Sequence, residues 1–125
     1  MKLTRDRVVT LNEVYDKIID QFGMSRWYDW FPSLILYADE GETWKGRWCY
    51  GEFCEVAEEI SINVAAHYST RHIIKTILHE YCHYLQRPGW YTRYAGIYSY
   101  DRHPYEIQAD EFAEEHIGMF NSNKR

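Results

Sequence analysis

The chain has 125 residues, with 14 Lys+Arg against 19 Asp+Glu for a formal net charge of −5; 46% of it is hydrophobic and 18% aromatic. That hydrophobic share excludes disorder, and the length suits one core, so a single domain over 1–125 is expected. No run nears the ~20 apolar residues of a membrane span, MKLTRDRVVTLNE is no secretory leader, three cysteines make no disulfide framework, and the acidic balance argues against a nucleic-acid face; the expected setting is cytoplasmic.

In chain order, Thr10-Leu11-Asn12-Glu13 reads as a capping box. Behind it Leu11, Val14, Tyr15, Ile18, Ile19 and Phe22 recur at helical spacing up to Gly23, which predicts a first helix over 11–22. The aromatic stretch Trp27 to Pro32 reads as a connection whose rings fold back onto the core. Ser33 to Tyr37 is a short strand, and Asp39-Glu40-Gly41 turns the chain. Trp44 to Tyr50 and Phe53 to Val56 flank Gly51-Glu52, the pattern of a two-residue hairpin. That register sets Cys49 across from Cys54, where a cross-strand disulfide is geometrically conceivable and two reduced thiols suit a reducing compartment. Glu59 to Ala66 alternates apolar and polar, as a half-buried strand does.

A second helix is expected from Ser69 or Thr70 to Gln86, stopped by Pro88-Gly89, with Ile73, Ile74, Ile77, Leu78, Tyr81, Tyr84 and Leu85 on its core side. Residues 89–103 form a Tyr/Gly-rich connection, longer than most loops. Pro104 opens a third helix at its first position, running to Phe120. Seven of the twelve tyrosines fall between positions 81 and 105, which reads as partly the wall of a cleft.

The second helix carries His79-Glu80-Tyr81-Cys82-His83, an H-E-x-x-H. Residues four apart on a helix stand one turn apart and about 40° around, so both imidazoles can reach one ion. Glu80 projects about 100° from His79, close enough to act on water without ligating. Six histidines and twelve glutamates scattered over 125 positions would give about 0.03 such motifs by chance, and this one lies opposite the core face. A catalytic zinc needs a third ligand and an open position. The third helix offers Glu106, with Asp110 one turn on, placed to accept the second ring N–H of a coordinating histidine, His79 for preference. His72, His67, His116 and Cys82 read as exposed or packing residues, though His72 could line the cleft.

H-E-x-x-H followed by Glu106-Ile107-Gln108-Ala109-Asp110-Glu111-Phe112-Ala113 resembles the gluzincin branch of zincin metallopeptidases, small single-domain zinc peptidases of bacteria, phages and mobile elements among them. The resemblance covers about residues 59–117. It implies an α+β zincin-like fold with an N-terminal helix, a three- to four-stranded twisted sheet, an active-site helix and a glutamate helix. It further implies one Zn2+ per chain on His79, His83 and Glu106, Glu80 as general base, Asp110 behind a ligand, and Ser61 to Ala66 as an edge strand that holds a peptide or unfolded-protein substrate. The expected activity is peptide-bond hydrolysis, with Tyr98 or Tyr100, ahead of His103 and Tyr105, as donor to the oxyanion. The alternative is a zinc-binding regulatory or partner-binding domain with little proteolysis.

Overall fold

The computed structural model describes residues 1–41, 43–44, 47–48 and 50–120. Four helices and a mixed three-stranded sheet make an α+β fold: α1 Arg5–Phe22, β1 Ser33–Tyr37, β2 Thr43–Trp44, β3 Arg47–Trp48, β4 Gly51–Cys54, β5 Glu59–Asn63, α2 Thr70–Leu85, α3 Trp90–Ala95 and α4 Pro104–Phe120. Short 3-10 turns cover Val64–Ala66 and Tyr100–Arg102. No helix among the described residues is long and apolar enough to cross a membrane.

The sheet runs β1-β5-β4, with β1 parallel to β5 and β4 antiparallel to it; among the described residues β2 and β3 pair with each other as a separate two-stranded sheet. One face of the sheet buries Ile60 and Ile62 against α2, whose Ile73, Ile74, Ile77, Leu78, Tyr81 and Tyr84 form the middle of the core. Helix α1 adds Leu11, Val14, Tyr15 and Ile18 from one side. Helix α4 adds Ala113, Ile117 and Phe120 from the other, its small residues letting it lie close to α2. The aromatic connection divides as the burial demands. Tyr28 and Trp30 pack on Tyr84, with ring centres 5.7 and 5.6 Å apart, while Trp27 and Phe31 stay exposed.

Four expectations are corrected. The first helix starts at Arg5, because Thr4 rather than Thr10 is its cap: the Thr4 hydroxyl accepts from the Arg7 N–H at 3.2 Å. The turn before Leu11 is solvent-exposed, so no apolar period marked it. Gly51-Glu52 is not a hairpin turn but the start of β4, paired with Ile62 and Ser61. A glycine in a strand also marks close approach of a neighbour, and Gly51 has that reason. Its absent Cβ would stand 2.9 Å from Ile62 Cδ1 and 3.0 Å from Thr76 Cγ2. Cys54 therefore lies across from Glu59 and is a free thiol, while Cys49 lies outside the described residues.

The strand expected over Glu59–Ala66 stops at Asn63 and is the central strand, paired on both sides. Ser61 to Ala66 is thus not an edge, since alternation reports a half-buried strand without telling its place in the sheet. Finally, the connection 89–103 is structured by α3 and a 3-10 turn.

Candidate metal centre

Helix α2 is capped at its start by Ser69, whose hydroxyl accepts from the His72 N–H at 3.1 Å, and at its end by Gln86. Between them His79 and His83 occupy successive turns, with Nε2 atoms 3.2 Å apart. Helix α4 is started by His103: its Nδ1 accepts from the Tyr105 N–H at 3.1 Å, and the helix brings Glu106 to both imidazoles within its first turn. Glu106 Oε1 stands 2.9 Å from His79 Nε2 and 3.3 Å from His83 Nε2. The three donor atoms close a triangle, and the group can hold a metal ion.

Each ring is oriented from behind. His79 Nδ1 donates to Asp110 Oδ1 at 2.8 Å, and His83 Nδ1 donates to Gln86 Oε1 at 2.7 Å, so both Nε2 atoms face the triangle. Gln86 is held in turn, donating to the Tyr105 carbonyl at 3.0 Å and to Gln108 Oε1 at 2.9 Å. Tyr91 donates to Glu106 Oε2, and Tyr100 donates to Oε1 at 3.1 Å. His103, 2% exposed, fixes Tyr91 by donating Nε2–H to its carbonyl at 2.9 Å and packing against its ring, centre to centre at 4.0 Å.

Charge concentrates here. Burial alone would raise the Glu106 carboxyl, but hydrogen bonds from His79, His83 and Tyr91 outweigh it and hold the group well below the usual carboxylate range. Burial disfavours the charged forms of His79 and His83, yet Glu106 and Glu80 win: His79 is pushed up to about 9 with help from Asp110, and His83 is also raised. Glu80 is 8% exposed; burial raises its carboxyl, opposed by His83, His79 and a hydrogen bond from the Phe53 backbone. The protons held by the two imidazoles offset this carboxylate charge, and a divalent cation bound at the triangle would take their place.

The cluster opens on a cleft of about 1280 Å³ whose opposite wall includes Gly51 to Cys54 of β4. Among the tyrosines of the 81–105 interval, Tyr91, Tyr100 and Tyr105 line it, whereas Tyr81 and Tyr84 are core residues.

No family model, characterised protein or solved structure matches the chain.

His79, Glu80, His83, Glu106, Asp110 and Tyr100 come together as expected from sequence. Tyr98 does not: its N–H continues the turn of α3 by bonding the Tyr94 carbonyl, and its ring stands away from the cleft beside Tyr94, 42% exposed. His72 lines the cleft, and Cys82 is a buried packing residue whose thiol burial pushes up to about 12. His116 packs against Phe22 and Phe112. Sequence reasoning missed Gln86 and Tyr91. Gln86 carried a signal, a polar residue three positions after His83. Tyr91 carried none, as one tyrosine among many.

Proposed function

We propose that this protein is a zinc-dependent peptidase of the gluzincin type, with His79, His83 and Glu106 as ligands and Glu80 as general base. The observation that carries the reading is the donor triangle of 2.9, 3.2 and 3.3 Å. Two ligand atoms about 2.05 Å from a tetrahedral zinc stand ~3.3 Å apart, so these side chains need little adjustment to hold that ion. Two imidazoles and one carboxylate with an open fourth position make a catalytic set rather than a closed structural one. Zinc bound there supplies a Lewis acid that acidifies water toward neutrality and polarises a carbonyl.

The remaining steps belong to the chain's own residues. Glu80, next to His79 and facing the cleft, takes the proton of the attacking water and returns it to the leaving amine. Tyr100 presents a hydroxyl at the mouth of the triangle, where charge develops on the carbonyl oxygen. In place of Ser61 to Ala66, the strand suited to an extended peptide is β4, the sheet-edge strand that walls the cleft.

The test compares wild type with Glu80→Gln on a broad library of unstructured peptides, with zinc measured in both. Wild type should cleave, and the variant should keep its zinc and lose about 10²–10⁴ in rate. Zinc-loaded wild type that cleaves nothing overturns the peptidase reading in favour of a regulatory domain.

A further inference from the structure

Five side chains form a continuous strip beside the cleft. The guanidinium carbons of Arg26 and Arg87 lie 5.2 and 5.5 Å from the ring centre of Trp27, and those of Arg87 and Arg93 lie 5.7 and 4.8 Å from that of Trp90. Arg87 is shared by both indoles, tying the connection after α1 to the start of α3. It also lines the cleft, four residues beyond His83, so the strip leads outward from the metal end of the site.

All three arginines are exposed, and among the described residues none has a carboxylate within 4.0 Å. In a chain of net charge −5 that is an excess of unpaired cation in one place. A guanidinium stacked on an indole has one face covered and its in-plane N–H donors turned outward, held with little further entropy to lose. That is the arrangement that takes carboxylates in bidentate fashion. A nucleobase that stacked on either indole would compete with the two guanidiniums already lying over it, whereas a carboxylate uses those guanidiniums as they stand.

We propose that the strip Arg26, Trp27, Arg87, Trp90 and Arg93 docks an acidic polypeptide segment whose neighbouring residues enter the cleft, so that a carboxylate-rich flank selects the substrate. What happens in the cleft rests on the peptidase reading; docking on the strip does not.

The experiment uses zinc-loaded Glu80→Gln protein and fluorescein-labelled peptides of equal length whose flank is Asp/Glu, Gln/Asn or Lys, together with oligothymidine. Anisotropy titrations should show the acidic flank binding at least about tenfold tighter than the Gln/Asn flank, with the gap shrinking as salt rises. In an Arg87→Gln/Arg93→Gln background the gap should fall to within about twofold. Arg93→Gln alone leaves the Trp27-Arg87-Trp90 bridge intact and should give an intermediate loss, which covers the case where the double variant loosens the fold. Equal binding of acidic and neutral flanks, or tighter binding of oligothymidine than of the acidic peptide, overturns the proposal. Selective binding without hydrolysis by wild type would keep the strip and sink the peptidase; hydrolysis indifferent to the flank would do the reverse.

Discussion

Asp110 Oδ1 accepts the Nδ1 proton of His79 at 2.8 Å, one helical turn beyond Glu106, which faces Nε2 of the same ring. One helix thus grips both nitrogens of a histidine borne by another. The Asp110 side chain is itself 75% exposed, so its role is to orient the ring rather than to support the core.

Replacing Asp110 by Ala should therefore weaken metal binding by about 10–100-fold while changing apo stability by no more than about 0.5 kcal/mol. Zinc competition against a chromophoric chelator and urea unfolding of the metal-free protein separate the two effects. Asp110→Asn keeps an acceptor oxygen and should fall between. A large loss of apo stability with unchanged affinity would contradict this account.

Metal removal should be visible as stability. The cluster brings Glu106 of α4 to His79 and His83 of α2, so an ion there crosslinks the two helices that carry the site. A ligand held by the folded state alone adds about 4 kcal/mol at a thousand times its Kd. For a chain of this size that raises Tm by on the order of 10 °C. Calorimetry with and without a strong chelator measures it, and His83→Ala should erase the difference.

Gly51 tests the strand that walls the cleft. A Cβ there would meet Ile62 Cδ1 at 2.9 Å, the Ser61 carbonyl at 3.0 Å and Thr76 Cγ2 at 3.0 Å, two of them on the neighbouring strand and one on α2. Gly51→Ala should cost about 1–3 kcal/mol through overpacking. Because Thr76→Ser removes one of the three obstacles, the double variant should recover part of that loss in a urea-unfolding cycle. Simple additivity would mean that β4 moves aside freely.

The ligand helix and the glutamate helix were legible because their signals are local: the apolar period of Ile73 to Tyr84, the Ser69 cap, Pro104 at a helix start, and the four-residue spacings of His79/His83 and Glu106/Asp110. What escaped depends on long-range pairing. Whether Gly51 turns or runs straight is decided by Ile62 and Thr76, and whether β5 is an edge is decided by β1, which lies on the far side of the β2–β3 pair in sequence. Tyr98 and Tyr91 were indistinguishable as rings in one aromatic run. The turns of α3 point Tyr91 at Glu106 and Tyr98 away from the cleft.

His67 offers a pH test outside the metal cluster. Its Nδ1 lies 2.7 Å from the Asn63 carbonyl, which can only accept, so Nδ1 bears the proton and Nε2 faces the Thr76 hydroxyl at 2.8 Å. The ring is 3% exposed, beside His72 at 4.7 Å, Tyr50 at 5.3 Å and the amino group of Met1, which bonds the His67 carbonyl. Burial first, then the His72 and Met1 charges, lower its pKa from 6.5 to about 4, against a raising hydrogen bond to Asn63. An unfolded chain then binds the proton more readily than the folded one. The stability this neutral ring contributes is fully present above pH 6.5 and is lost as pH falls toward 4. Between pH 8 and pH 5 the loss is about 2 kcal/mol. His67→Gln, which cannot titrate, should show a correspondingly flatter stability profile over that interval in urea unfolding. NMR titration of the wild-type ring provides the direct check, and a midpoint near the ordinary histidine value would refute the assignment.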